Sequence, residues 1–559
     1  MAKWKPALTN PTLLSEVIRE IDDDAPRLAY ADWLESEGAP ECADFIRVDC
    51  ALAKADPGDD DYPNLIEQKR EVIGRMWNRS THRLDEHTDT ECYAFHGNWH
   101  DVDDGVGRLR RGFQFCAGEP SNDHLNDEAA AAIRFRDALG ELTQTTTVRG
   151  LKFYGWFSRH LDTILATSAA EDLTALEVFN AIHDSLRSVD SVDAILSSPI
   201  ATGLEWLDVM DLTGPQMSRL GTTHKLTRMR RLELRYPADE PAAIEKMTSS
   251  EWFQGLQDVR IGFGKASSTN ALAALTGLRN LQTAHLWDTP ILEESRKLRF
   301  ESLNRLRFRA TLLTSTGMKT LMSWSLPNLK VFEPEGCRIK STAIRNLTRA
   351  EWARQLRVLS LESNWIDDKG VTILASSGIL RSIRILNLNW NAMSAAGLMP
   401  LAAEGVMPEL TTLELNAPEE KHFRGTQAEM EEFLRTLTLP KLRHLDLSRW
   451  PLGDCGAIAL AANPSFVNLR SLDLSFCKIG PKGAAAICES PYLSNLLNLH
   501  LDFNDIGDGI ASLRDCTVLP HLSRIGANTM SHTPQELKTA FEQMRDLLKV
   551  ARPDVSGLG

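Results

Sequence analysis

The sequence lacks the features that mark membrane and secreted proteins. No stretch approaches the roughly 18 uninterrupted apolar residues of a membrane-spanning helix, and residues 1–6 carry no apolar signal region. The nine cysteines are odd in number and show none of the paired spacings of a disulfide framework. We therefore expect a soluble, cytoplasmic protein with reduced thiols.

Catalytic motifs are also missing. No glycine-rich loop precedes a helix with a Lys-Ser/Thr pair, and no Gly-x-Ser-x-Gly turn is present. No segment is left over for a dedicated catalytic domain. We therefore predict that the chain is not an enzyme and has no catalytic residues and no cofactor. The net charge of −14 argues against nucleic acid as a partner, because phosphate contacts need a basic surface.

Two groups of side chains suggest metal ligands at first sight. Cys92, His96 and His100 have a spacing that suits one face of a helix, but Gly97 and Asn98 interrupt that helix and no Cys-x-x-Cys pair accompanies them. The aspartates of residues 56–61 lack the glycine and closing glutamate of a calcium loop. We interpret both as polar connecting segments and predict no metal site, although the sequence leaves metal binding by the first group open.

What the sequence does contain is a repeat of about 27 residues. Its clearest copy has Leu356, Leu359, Leu361, Asn364 and Ile366 at fixed spacing. Further copies begin at Ile383, Leu469 and Leu496, and weaker copies extend back to about residue 148. A period of this length predicts a solenoid, whose commonest use is to hold another macromolecule.

The residue pattern within each repeat predicts a strand, then a turn, then a helix. Leu359 and Leu361 point to one face of the strand, so Ser360 and Glu362 point to the other. A polar side chain such as Asn364 is expected to satisfy the buried amides of the turn. Cysteines fit this turn position less well, and Trp450 there predicts a looser turn. Glycine and alanine in the second half of the repeat favour a closely packed helix.

These motifs resemble leucine-rich repeats, specifically the ribonuclease-inhibitor-like type with long helical units. The resemblance covers residues 148–531. It implies an α/β solenoid shaped as a horseshoe, with parallel strands on the concave face and helices on the convex face.

The first 55 residues follow a different pattern. Asn10 and Pro11 predict the start of one helix, Pro26 the start of a second, and Gly38 the end of the second. The stretch 23–38, followed by 43–47, resembles the bacterial repeat-companion domain, which precedes repeats and has no established activity. Residues 111–113 match the Arg-Gly-Phe that commonly joins that domain to its repeats. This resemblance implies a bacterial origin and an all-α N-terminal domain.

Four segments are therefore expected. They are a helical repeat-companion domain at 1–85, a connector and N-terminal cap at 86–147, leucine-rich repeats at 148–531, and a C-terminal capping helix and tail at 532–559. Both caps would cover apolar ends of the array.

The concave face is the predicted binding surface, because solenoids commonly bind through it. Its arginines are expected to form a basic middle zone and its carboxylates an acidic later zone, with aromatic side chains among them. The predicted protein-binding residues are Arg231, Arg235, Arg260, His285, Trp287, Arg305, Arg307, Arg309, Glu333, Glu335, Glu362, Trp390, Glu414, Asp446, Asp473, Phe476, His500 and Asp502. The competing interpretation is that these side chains are merely solvated.

The sequence thus favours a non-enzymatic scaffold that binds a protein of complementary charge. By analogy it would be the recognition or inhibitor component of a bacterial stress or defence assembly. The alternative is a regulator of a partner enzyme such as a GTPase, or a substrate that a protease cleaves in the connector near 86–125.

Overall fold

The computed structural model describes residues 10–55 without 21 and 22, isolated positions within 65–72, 109–118 and 132–139, and residues 150–526 with gaps. The gaps are at 155–159, 180–190, 236, 239, 263–274, 276, 289–296, 418–424, 510–511, 513–515, 517 and 523. The chain divides into two compact units. Unit 1 comprises Met1–Thr289 with Phe300–Leu303, and unit 2 comprises Pro290–Arg299 with Asn304–Gly559.

Three helices open unit 1: α1 (Pro11–Arg19), α2 (Ala25–Ser36) and α3 (Pro40–Lys54). The Asn10 side chain accepts a hydrogen bond from the amide of Leu13, as the sequence predicts for the start of α1. Gly38, just after the end of α2, has a left-handed φ of 82°. The helices pack around a small apolar core of Val17, Tyr30, Ala31, Leu34, Ala43, Ile46 and Cys50.

The motif residues of this segment hold α2 and α3 together. Arg47 on α3 forms ion pairs with Asp32 (2.7 Å) and Glu35 (2.6 Å) on α2. Arg27 is buried and donates to the carbonyl of Asp23 at 2.6 Å. These contacts give Arg27, Asp32, Glu35 and Arg47 a structural role in the helical segment.

Unit 1 continues with parallel strands. After the short antiparallel pair β1 (Leu109–Arg110) and β2 (Phe113–Gln114), the strands β3 to β9 each pair with the next in sequence. They are β3 (Cys116–Gly118), β4 (Gly150–Tyr154), β5 (Ala175–Phe179), β6 (Trp206–Met210), β7 (Arg231–Arg235), β8 (Asp258–Gly262) and β9 (Thr283–Trp287). The α-helices after β4 are Leu161–Leu165, Ser191–Ser197, Ile200–Gly203, Gly214–Thr222, Pro241–Thr248 and Glu251–Gln254.

Unit 2 repeats the same strand-and-helix order. Its strands also pair in parallel with their sequence neighbours: β10 (Arg305–Arg309), β11 (Val331–Glu335), β12 (Val358–Ser360), β13 (Ile385–Asn387), β14 (Thr412–Glu414), β15 (His444–Asp446), β16 (Ser471–Asp473), β17 (Asn498–His500) and β18 (Arg524–Gly526). The α-helices between them are Ser315–Leu321, Ser341–Leu347, Asp368–Ser377, Ala395–Leu398, Gln427–Thr436, Gly453–Ala461 and Pro481–Cys488. Parallel strands alternating with helices confirm the predicted fold class, a leucine-rich-repeat solenoid.

The core of each repeat is apolar, as the leucine spacing predicts. Leu356, Leu359, Leu361 and Ile366 are each 0 % exposed. Neighbouring helices approach closely where side chains are small: a Cβ on Gly483 would lie 2.9 Å from the Cβ of Ala457. The small residues noted in the sequence therefore set the spacing of the helical layer.

A ladder of buried side chains satisfies the turns. Asn364 accepts hydrogen bonds from the amides of Cys337 and Ile339, both at 3.0 Å, and donates to the carbonyl of Pro334 at 2.7 Å. Asn391 and Asn504 donate to the equivalent carbonyls of the preceding repeats. Each of these asparagines therefore joins its own repeat to the one before it.

Trp450 takes the same place in the ladder, which corrects the expectation of a looser turn. Its side chain is 1 % exposed, and its indole N–H donates to the carbonyl of Leu415. That carbonyl is equivalent to the one that Asn391 uses in its own turn. The repeat pattern points to amide and thiol groups at this position, whereas an indole supplies an equivalent N–H donor.

The predicted division into four segments stays a prediction. Most of the connector at 86–147 and the whole capping helix at 532–559 lie outside the described residues, as does the linker at 56–61.

Candidate functional site

Strand alternation builds one polar face from each run of parallel strands, which we call the strand face. In unit 2 it carries a first row, Arg307, Glu333, Ser360, Asn387, Glu414, Asp446, Asp473 and His500, and a second row, Arg309, Glu335, Glu362, Asn389, Asn416, Ser448, Ser475 and Asp502. The strand register places Asn387, Glu414, Asp446 and Asp473 side by side. The side chains predicted to lie between the leucines are therefore neighbours across the repeats.

The predicted binding residues differ widely in exposure. The buried ones are Arg231, Arg260, His285, Arg305, Arg307 and Glu333. The half-buried ones are Arg235, Trp287, Glu335, Glu362, Glu414, Asp446, Asp473, Phe476, His500 and Asp502. Of the whole predicted set, Arg309 and Trp390 are exposed.

The arginines of unit 1 are neutralised by carboxylates of the same face. Arg235 lies 2.9 Å from Asp208 and 2.7 Å from Glu233, and Arg231 lies 3.6 Å from both Glu233 and Asp258. The face here is an ion-pair network and not the basic zone that the sequence predicts. The neutralising carboxylates lie both on the same strand, as Glu233 does, and on the adjacent strands, as Asp208 and Asp258 do.

Aromatic side chains interleave with this network. His285 and Trp287 meet edge to face, with ring centroids 5.1 Å apart. The Trp287 indole occupies the space above Gly262, where an added Cβ would overlap the ring. Trp206 also lies under the Arg231 guanidinium, 4.6 Å from its ring centroid.

The arginines at the start of unit 2 are paired in the same way. Arg305 binds Glu333 through two nitrogens, at 2.7 and 3.0 Å, and Arg307 binds Glu335 at 2.8 Å. Both pairs run diagonally, because each arginine binds the glutamate two residues beyond its register partner on the next strand. The predicted basic zone is therefore corrected here as well, and of its members in this strand Arg309 is the exposed one.

Three carboxylates of the later repeats have no matching cation among the described residues. Among the described residues no basic side chain lies within ion-pair distance of Glu362, Asp446 or Asp473. Their hydrogen bonds come from neutral groups: Asn387 donates to Glu362 at 3.0 Å, and the Ser448 amide donates to Asp446 at 2.8 Å. These three members of the predicted acidic zone are thus neutralised less completely than the arginines, whereas Glu333 and Glu335 are paired with Arg305 and Arg307.

The crowding of these carboxylates changes their titration. Burial, followed by repulsion from Asp473, raises the pKa of Asp446 to about 7. Burial also raises the pKa of Glu335 to about 7, although Arg307 opposes the shift. Carboxylates with raised pKa values gain most from a cationic partner, because a nearby positive charge stabilises the ionised form.

We expect Asp446→Asn to change the pH dependence of stability. Because the folded pKa of about 7 lies above the ordinary value of 3.8, ionisation of Asp446 destabilises the fold as pH rises from about 4 to 7. Relative to wild type, the variant should gain about 2 kcal/mol of unfolding free energy between pH 5.5 and pH 8, since about 1.5 pH units of that window lie below the folded pKa and each is worth about 1.4 kcal/mol. Urea unfolding at both pH values measures this difference.

The control for this titration is Glu432→Gln, which removes an exposed carboxylate on a helix of the same unit. It should show no such gain between the two pH values. If the stability difference between Asp446→Asn and wild type is the same at pH 5.5 and pH 8, the raised pKa is contradicted.

A second group of side chains lies where the strands of unit 2 end. We call Trp390, Arg449, Phe476 and Phe503 the aromatic rim. The Arg449 guanidinium lies 5.5 Å from the Trp390 ring centroid and 4.7 Å from that of Phe476. Phe476 and Phe503 stack with centroids 4.3 Å apart. The sequence placed Trp390 and Phe476 on the concave face, whereas the structure places them on the turns that follow the strands, and the linking role of Arg449 was missed.

All four rim residues have a left-handed backbone, with φ of 57°, 69°, 58° and 59°. For a side chain with a Cβ this conformation costs roughly 1–2 kcal/mol, and it is unusual for bulky residues. The equivalent turn positions earlier in the chain hold small or short polar residues, among them Asp211, Ala310, Gly336 and Ser363. These turns therefore adopt the left-handed backbone with small residues as well, and the backbone does not require an aromatic side chain.

The described residues contain no obvious metal centre or membrane span. Among them there is no group of three or more His, Cys, Asp or Glu side chains that could hold a metal ion. Cys92, His96 and His100 lie outside those residues, so the interpretation of that segment stays a prediction. Within the described part of the chain, no helix is long and apolar enough to cross a membrane.

Comparison with known proteins agrees with the repeat geometry. The family described as "Leucine Rich repeat" matches residues 354–375, 380–402, 438–461 and 467–488. No curated protein matches the chain. Similar solved structures include an internalin from Listeria monocytogenes, with 16 % identity, a TM-score of 0.33, and coverage of 72 % of this chain and 96 % of that chain. Another is the Rad7 and Elc1 complex in yeast, with 14 % identity, a TM-score of 0.34, and coverage of 73 % and 86 %. The four matched segments are similar to leucine-rich repeats, and the strand, turn and helix of each repeat give the chain the fold of a leucine-rich-repeat solenoid.

Proposed function

We propose that the chain is a non-enzymatic scaffold that binds a basic segment of another protein on the strand face of unit 2. The observation that carries the proposal is that Glu362, Asp446 and Asp473 have no ion-pair partner among the described residues. Lysine or arginine side chains of a partner would complete these pairs. Leucine-rich repeats support protein binding in general, because a solenoid presents an extended surface.

The same face offers unused hydrogen-bonding capacity. Ser360 is 6 % exposed, and its hydroxyl has no hydrogen-bond partner among the described residues. A buried polar group without a partner is destabilising, so a bound polar group that reaches it would contribute to affinity. Charge complementarity would mainly set specificity and the association rate.

The partner-binding role would fit a cytoplasmic recognition or inhibitor component of a bacterial stress or defence assembly. The cytoplasmic setting is supported by the free thiols of the seven cysteines whose side chains the structure describes. The bacterial setting rests on the resemblance of residues 23–47 to the repeat-companion domain. The alternative of a partner protease cleaving the connector near 86–125 falls largely outside the described residues, and no contact in the described part of the chain favours it.

Peptide binding tests the charge preference directly. We expect a fluorescent lysine-rich peptide to bind the full chain, and a glutamate-rich peptide of equal length not to bind. Asp446→Asn/Asp473→Asn should weaken lysine-peptide binding about tenfold, equivalent to about 1.4 kcal/mol, and rising salt should weaken wild-type binding. Fluorescence anisotropy at two salt concentrations measures both effects.

The matched control removes the same charge elsewhere. Glu431 and Glu432 lie on the helix Gln427–Thr436, where both pair with Arg435. Glu431→Gln/Glu432→Gln should leave affinity within twofold. Equal binding of acidic and basic peptides, or an equal loss in both double variants, would exclude the strand face as a site for a basic partner.

A further inference from the structure

We infer that the aromatic rim is the second half of the docking site, where it binds an aromatic or long aliphatic side chain of the same basic segment. This inference rests on the proposed function, since it assigns the apolar part of the partner that the carboxylates would hold. It commits to one occupant: an extended peptide segment in which a lysine or arginine and an apolar side chain are about three residues apart.

The first argument is the continuity of the rim. Ala417 takes the equivalent turn position in the repeat between Trp390 and Arg449, and it is 1 % exposed. Arg449 reaches past this repeat, and its guanidinium lies 5.5 Å from the Trp390 ring centroid. The result is an unbroken strip of ring, guanidinium and two stacked rings along successive strand ends.

The second argument is that the fold does not need these side chains. The left-handed turn is fixed by main-chain hydrogen bonds that small residues make equally well: the Ser363 amide donates to the carbonyl of Asn389 at 2.9 Å, and the Trp390 amide donates to that of Asn416 at 2.9 Å. Ser363 shows that a short side chain suffices. Bulky residues in a sterically costly backbone are typical of functional positions, and Trp390 remains 39 % exposed.

The third argument is the distance between the rim and the carboxylates. Asp473 precedes Phe476 by three residues, and Asp446 precedes Arg449 by three. Three residues span at most about 10 Å, and each aspartate ends a strand whose following turn carries the rim residue, so carboxylate and rim lie within that reach of each other. A partner segment lying along the strands would therefore meet a carboxylate with its cationic side chain and the rim with a side chain three residues away. Aromatic side chains are enriched at such contact centres because they bury a large area.

Two synthetic peptides test the assignment on the full-length chain. In the first, lysine and phenylalanine recur three residues apart, and in the second serine replaces each phenylalanine. We expect the first to bind wild type about tenfold more tightly by fluorescence anisotropy. Phe476→Asn, which keeps a residue that tolerates left-handed backbone, should abolish that preference and leave the affinity for the lysine–serine peptide unchanged.

Two further variants keep the test independent of folding defects. Ser363→Asn changes the equivalent turn position in a repeat outside the rim, and it should leave both affinities unchanged. Trp390→Asn should reduce the preference as Phe476→Asn does, and both rim variants should unfold at or above the wild-type urea midpoint. Equal binding of the two peptides to wild type, an equal loss of both in Phe476→Asn, or unfolding of both rim variants would overturn the inference. If neither peptide binds wild type, the proposed function itself fails.

Discussion

Trp450→Ala should lower the free energy of unfolding by about 3–5 kcal/mol, the range for removing a large buried aromatic side chain. Trp450 is the largest fully buried side chain in the described part of the chain. Its removal leaves a cavity and also leaves the carbonyl of Leu415 without the indole donor. Urea unfolding followed by far-UV circular dichroism measures the loss.

Two comparisons separate the cavity from the hydrogen bond. Trp365→Ala removes a tryptophan that is 50 % exposed and should cost less than about 1 kcal/mol. Trp450→Asn restores the amide donor that Asn391 supplies in its own turn, so it should recover part of the loss. If Trp450→Ala and Trp365→Ala are equally stable, the tryptophan is not part of the turn ladder.

Arg305→Met should lower the free energy of unfolding by a similar amount, about 3–5 kcal/mol, because it removes one member of a buried ion pair. Arg305 is 8 % exposed and Glu333 is 6 % exposed, and two hydrogen bonds join them. Without the guanidinium, Glu333 remains buried next to Glu335, whose ionised form it already repels. The measurement is again urea unfolding.

Arg309 provides the matched control, since it lies on the same strand and is exposed. Arg309→Met should change stability by no more than about 0.5 kcal/mol. Arg305→Met/Glu333→Leu should regain most of the stability, because the unpaired carboxylate is gone. Equal effects of the two single substitutions would show that the Arg305 pair contributes no more than a solvated side chain.

The comparison of these arginines shows what the sequence could predict. Leucines two positions apart determine which side chains leave the core, so membership of the strand face followed from the alternation. The ion pairs between these side chains could not be predicted from the alternation, because Arg305 and Arg307 reach diagonally to Glu333 and Glu335 on the next strand. A long, flexible arginine side chain can form an ion pair with any of several neighbouring carboxylates, and the position of the arginine in the repeat does not determine which one.

The aromatic rim could not be predicted from the sequence, for a different reason. Left-handed turn positions are recognised in sequences by glycine, asparagine or aspartate. Phe476 and Phe503 hold that backbone instead, so their pattern suggested strand residues on the concave face. The turn at Trp450 was missed similarly, because an indole N–H in place of an amide has no counterpart in the repeat pattern.

Buried thiols distributed along unit 2 have a consequence for its chemistry. Burial raises the pKa of Cys337 to about 12 and that of Cys477 well above its usual value, whereas Cys455 is exposed. A thiol reacts as its thiolate and only where a reagent can reach it. Alkylation of Cys337 or Cys477 therefore requires its repeat to open first. The alkylation rate of each thiol would measure local opening at a separate point along the array.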